Sequence, residues 1–118
     1  MLDLSHKKLD VYQIALKFVN EIYNLTKLFP REEQFGLVSQ LRRAAVSVAS
    51  NLAEGASRKT DKEKQRFYLI SRSSLVEIDT QLEISKMLSY MNTEQLMQTE
   101  QYGLSIFRMI SKMIDNLN

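Results

Sequence analysis

The chain has 118 residues, 44% of them apolar, and a net charge of only +2 at neutral pH. That is one domain with enough apolar material for a real core, and with no cysteine at all it excludes both a disulfide framework and a thiolate metal site. One proline and three glycines suit an all-helical chain, no apolar run reaches the length of a membrane span, and residues 1–10 lack the apolar core of a signal peptide, so a soluble cytoplasmic protein is expected.

Residues 1–8 read as a short polar arm carrying Lys7 and Lys8. A first helix is predicted over about residues 9–28, with Asp10 as N-cap. Val11, Ala15, Phe18, Ile22, Leu25 and Phe29 recur there at four-three spacing, and Tyr12, Leu16, Val19 and Tyr23 form a parallel row. Pro30 pushes the residue before it out of the helical region, which predicts a short loop and an antiparallel second helix over about 31–56. Pro30 then suits the helix start, and Glu32 and Glu33 suit the positive end of the helix dipole.

The second helix organises the rest. Leu37, Leu41, Ala44, Val48 and Leu52 make an apolar stripe, and Val38, Ala45, Ala49 and Ala53 widen it with small side chains that let another helix come close. Gln40, Arg43, Ser47, Asn51 and Glu54 form a polar stripe, while Arg42 points into the small-residue arc. Thr60 and Glu63 form the sequence of a capping box at the start of a third helix, about 61–89. This third helix is apolar on two sides: Phe67, Leu75, Ile78 and Leu82 lie with Ser74 on one, and Leu69, Ile70, Val76, Ile84, Met87 and Leu88 on the other. Arg72, Asp79, Glu83 and Lys86 remain as the solvated strip. Two apolar sides imply two covered sides, and a four-helix monomer covers one, so a subunit interface is expected. After a turn capped by Asn92 or Thr93, a fourth helix over about 94–117 presents Leu96, Gly103, Phe107, Ile110, Ile114 and Leu117, flanked by Ile106 and Met113.

Chemistry is sparse. The sole histidine, His6, sits in the arm, no Glu-x-x-His pair is present, and no histidine follows Arg42, Arg43 or Arg72 on its helix, so neither an enzyme nor a metal or cofactor is expected. On the helical wheel Glu77 falls among Ile70, Gln81, Ile84 and Leu88, which predicts a carboxylate withdrawn from water. Pairing with Arg42, together with Gln40, Ser47, Asn51 and Glu54, would then set helix register and subunit contacts; a ligand pocket is the alternative. Arg58, Lys59, Lys62, Lys64 and Arg66, with Arg43, are the candidate phosphate contacts, although Glu54, Asp61 and Glu63 are interleaved. Repeated around an oligomer, that patch becomes a band of charge, and multivalency raises its affinity.

The string FPREEQFGLVSQLRRAAVSVASNLAEGASR over 29–58, with LDVYQIALKFVNEIYNLTKLFP before it and FYLISRSSLVEIDTQLEISKMLSYM after it, carries a resemblance. It resembles the four-helix-bundle family first noted as reading frames inside intervening sequences of bacterial large-subunit ribosomal RNA genes. The resemblance rests on Pro30, Glu33, Phe35, Gly36, Leu37, Gln40, Arg42, Arg43, Ala44, Ser47, Asn51, Glu54 and Gly55 and extends to about Met91. Where the family pattern has a glycine before the serine of its third-helix motif, this chain has Ser73 before Ser74. The resemblance implies an antiparallel up-and-down four-helix bundle that assembles into a homopentameric ring. It also implies a fold similar to the accessory proteins of diversity-generating retroelements, basic pentamers that bind a reverse transcriptase and nucleic acid. Two functions follow as expectations: a non-enzymatic ring binding RNA or a ribonucleoprotein partner through the cationic stretch, or a protein scaffold without nucleic acid.

Overall fold

The computed structural model describes residues 1–117, and over these the chain forms four α-helices: α1 (Asp10–Thr26), α2 (Leu37–Ser57), α3 (Asp61–Met87) and α4 (Thr93–Asp115). Each helix packs on the next in the chain and α4 closes back on α1, while the backbones of the diagonal pairs stay further apart. That arrangement is an antiparallel up-and-down bundle measuring 43 × 30 × 22 Å, its long dimension set by α3, whose 27 residues at about 1.5 Å each span roughly 40 Å. The closest pair is α2 with α3, because Ala44, Ala45 and Ala49 face inward and are all buried. α3 and α4 pack least closely and leave a groove of about 580 Å³ between them, floored by Phe18, Leu75, Ile78 and Leu96.

The core follows the sequence periodicity. Phe18, Ile22, Leu41, Val48, Leu52, Ile78, Leu96, Ile106 and Ile110 are all but sealed from solvent. In α4, however, Phe107 lies outside the core, 37% exposed, where the guanidinium of Arg72 covers its ring at 5.7 Å. Arg72 also donates to Ser111 Oγ at 3.0 Å, so it is half-buried and not part of the solvated strip.

Several ends differ from the pattern-based expectation. Asp10 is the first residue of α1, whose cap is Leu9 without a side-chain bond, and residues 5–8 of the arm form a 3₁₀ turn. The second helix does not begin after Pro30: Arg31–Glu33 form a 3₁₀ turn and α2 starts at Leu37. The physical reason is Gly36, whose backbone (φ −113°, ψ −113°) breaks the helical path, after which the Leu37 N–H is satisfied by Glu33 Oε1 at 3.3 Å. α3 realises half of the expected capping box, the Glu63 N–H donating to Thr60 Oγ1, whereas Asn92 and Gln95 make a complete reciprocal one at α4.

α3 ends in a Schellman motif: the Tyr90 N–H reaches the Ser85 carbonyl at 3.0 Å and the Ser89 N–H the Lys86 carbonyl at 2.9 Å. The motif needs a left-handed residue, and Ser89 supplies it at φ 65°, a position where glycine avoids the Cβ penalty. Ser89→Gly should therefore raise stability by about 0.5–1 kcal/mol, the relieved strain outweighing the freedom glycine adds to the unfolded chain. A thermal melt that fell instead would show the Ser89 side chain to be holding the turn.

Candidate interaction surfaces

The α2–α3 seam carries a polar ladder within an otherwise small-residue contact. Ser71 Oγ donates to the Val48 carbonyl at 2.8 Å, Ser47 and Ser74 share a hydrogen bond at 2.9 Å, and Asn51 Nδ2 donates back to the carbonyl and Oγ of Ser47. Next in line, Gln81 Nε2 donates to Gln40 Oε1 at 3.1 Å and to Glu77 Oε1 at 3.3 Å. Gln81 is 6% exposed and its Oε1 finds no partner among the described residues, an acceptor left costly by burial. Of the expected polar network, then, Gln40, Ser47 and Glu77 line one small cleft together with Arg43, and Asn51 is bonded to Ser47 beside it.

Arg42 and Glu77 do not meet within the chain. Arg42 turns to the end of α1, where Nε donates to Thr26 Oγ1 at 2.9 Å, Nη2 donates to the Tyr23 carbonyl at 3.3 Å, and the guanidinium covers the Tyr23 ring at 4.5 Å. Those contacts add a charged donor to a late α1 carbonyl that already accepts from the Lys27 N–H, and place a cation at the negative end of the α1 dipole. Glu77 is exposed on the single chain, contrary to the wheel-based reading, because the wheel gives a direction and α3 has no second neighbour on that side. Glu54 also leaves the network, pairing with Arg58 at 3.0 Å on the surface.

The cations from Arg58 to Arg66 cluster at the α2–α3 turn, but they are unequally available. Arg58 is tied to Glu54 and covers the Phe67 ring at 4.7 Å, and Lys64 Nζ donates to the Ala56 carbonyl at 3.1 Å, capping the end of α2. Lys59, Lys62 and Arg66 are exposed, as is Arg43 about a third of the way along α2.

At the opposite end, one contact has no local sequence signal. Tyr90 Oη donates to Glu33 Oε2 at 2.7 Å and its ring packs on Phe29 at 5.3 Å, which ties the α3–α4 turn to the α1–α2 turn. The hydrogen bond to Glu33 holds the Tyr90 phenol above its usual titration range, with burial and the charges of Glu33 and Glu32 acting in the same direction.

An apolar surface on α3 is also left open. Leu69, Ile70, Val76, Ile84, Met87 and Leu88 on α3 are all exposed, from 38% at Ile84 to 73% at Met87, on the side away from the core. Among the described residues no helix is long and apolar enough to cross a membrane, and no group of three or more acidic or histidine side chains could hold a metal ion.

Among the described residues, then, the chain is a four-helix bundle whose α3 carries exposed apolar side chains on its outer side. The chain belongs to the family of 23S rRNA-intervening sequence proteins, which matches residues 7–112. In fold it is similar to a crystal structure of a protein of unknown function from the S23 ribosomal protein family of Bacteroides thetaiotaomicron. The TM-score is 0.82 at 21% identity, covering 90% of this chain and 96% of that one. No curated protein matches the chain.

Proposed function

We propose that the chain is a non-enzymatic, self-assembling protein that binds RNA, closing through the outer face of α3 into the five-membered ring the family resemblance implies. The observation that carries the reading is the exposed apolar face of α3. Six large aliphatic side chains on one helix of a small protein form the kind of patch that marks an interaction site. The family name, with its reference to 23S rRNA, brings RNA into the reading, and Lys59, Lys62 and Arg66 are the exposed cations that would meet phosphate. A net charge of +2 makes one subunit a weak ligand, so affinity has to come from the repeated patch.

Light scattering at low and high salt, with and without RNA, tests both parts. An assembly that persists at high salt and gains mass with RNA only at low salt is expected, since an apolar contact resists screening and phosphate contacts do not. A monomer at all concentrations would overturn the assembly. Replacing Lys59, Lys62 and Arg66 together by Gln should weaken RNA binding at least tenfold at low salt and flatten its salt dependence while the mass without RNA stays unchanged. Unchanged RNA binding by that triple variant would remove the patch from the mechanism. The pairing of Arg58 with Glu54 and of Lys64 with a carbonyl favours a second reading, a protein-binding scaffold, which an assembly indifferent to RNA would select.

A further inference from the structure

α3 is not the only helix with an uncovered apolar row. On α1, Tyr12, Leu16, Val19 and Tyr23 recur at four-three-four spacing beside the core-facing row; Leu16 is 43% and Tyr23 37% exposed, the other two half-buried. Arg42 of α2 lies over the Tyr23 ring, which fixes this row on the side where α1 meets α2. The α3 face lies elsewhere: Glu77 sits next to Gln81 and Gln40, so Ile70, Ile84 and Leu88, which share its stripe, lie on the side where α3 meets α2. α1 and α3 are diagonal in the bundle and each packs against α2, so the two rows occupy two different sides of the molecule that meet along α2.

Resting on the self-assembly proposed above, we infer that the α1–α2 side of one copy seats on the α2–α3 side of the next. The occupant of each face is a second copy of this chain, and three observations argue for it. Both rows keep exposed apolar side chains, Leu16 and Tyr23 on α1 and Ile70, Ile84 and Leu88 on α3, in a chain of 118 residues that has one core already; at Tyr12 the α1 row is closed by the His6 ring. The exposed part of the α1 row, about 10 Å from Leu16 to Tyr23, fits within the α3 stripe, about 27 Å from Ile70 to Leu88. The charges match as well, because Arg42 is held on the first side by Thr26 and Tyr23, and Glu77 stands exposed on the second. Seated in this way, the partner subunit's Glu77 meets Arg42, the pairing the single chain does not make. Because the two faces differ, the contact is head-to-tail and repeats from copy to copy, closing as a ring or running on as a filament; a face that met its own image would stop at a dimer.

Leu16→Asp and Ile84→Asp test the geometry, both at exposed positions and with folding checked by circular dichroism. Each variant alone should be a monomer at concentrations where the unmodified protein assembles. Mixed in equal amounts they should give a one-to-one dimer that grows no further, since each supplies the face the other lost. If Leu16→Asp assembles as the unmodified protein does and the mixture forms no mixed dimer, α3 meets α3 and the inference fails while self-assembly stands. If the unmodified protein is itself a monomer, self-assembly fails first. Glu77→Arg gives an independent arm: the assembly should weaken at least tenfold, and unchanged assembly would remove the Arg42–Glu77 contact.

Discussion

Phe18→Ala is expected to cost about 3–5 kcal/mol, the range for deleting a buried aromatic side chain. Phe18 is 2% exposed on α1 and reaches across to α4, where its ring lies against Gly103, and it also floors the groove between α3 and α4. The facing position on α4 is a glycine, which has no side chain to reach into the space it leaves. A loss of this size is a large share of the roughly 5–15 kcal/mol that stabilises an ordinary domain. Urea unfolding at fixed protein concentration should show the midpoint falling by roughly 2 M for a slope of about 2 kcal/mol per M, with the slope unchanged. Fixing the concentration matters, because an assembling protein gains apparent stability by mass action. A loss below about 1 kcal/mol would mean that α3 and α4 close over the gap, and that the groove is a soft feature of the bundle.

Which parts of this architecture could be read from the sequence depends on the range of the interaction that fixes them. The four helices are written in local periodicity, and so is the doubled apolar character of α3, since Ile78 and Leu82 on one side and Val76 and Ile84 on the other need only the helical repeat to be told apart. The start of α2 was not legible in the same way. Pro30, Glu32 and Glu33 suit a 3₁₀ turn as well as an α-helix, and the backbone at Gly36 decides between them. Side-chain partners separated along the chain were out of reach. Tyr90 and Glu33 meet across 57 positions, and the wheel that placed Glu77 among apolar residues could not say that no helix of the same chain lies beyond them. The cationic stretch looks uniform as a string, yet Lys64 is spent on the Ala56 carbonyl, eight residues back, while Lys62 is exposed. The candidate surface was legible as composition and not as availability.

Gly55→Val should be destabilising by about 2–3 kcal/mol, near the top of the usual range for overpacking. Gly55 is buried in the last turns of α2, and a Cβ there would stand 2.6 and 2.8 Å from two ring carbons of Tyr68 and 3.2 Å from Cβ of Phe67. Tyr68 has little room to swing aside, because it is itself only 5% exposed. The added side chain would therefore force α2 and α3 apart at the end where the cationic turn joins them. Gly103 on α4 provides the contrast. Its added Cβ would meet Phe18 at 3.4 and 3.8 Å, ordinary contact, so Gly103→Ala should gain up to about 1 kcal/mol from helix propensity alone. Two glycines inside helices of one chain thus carry opposite expected signs, and thermal melts of the two single variants decide the matter. Destabilisation by both would mean that helix α4 is packed more tightly on Phe18 than these distances allow. Stabilisation by both would mean that the α2–α3 seam can open to admit a side chain, which would also loosen the Ser47–Ser74 and Ser71–Val48 bonds that hold the face beside it in register.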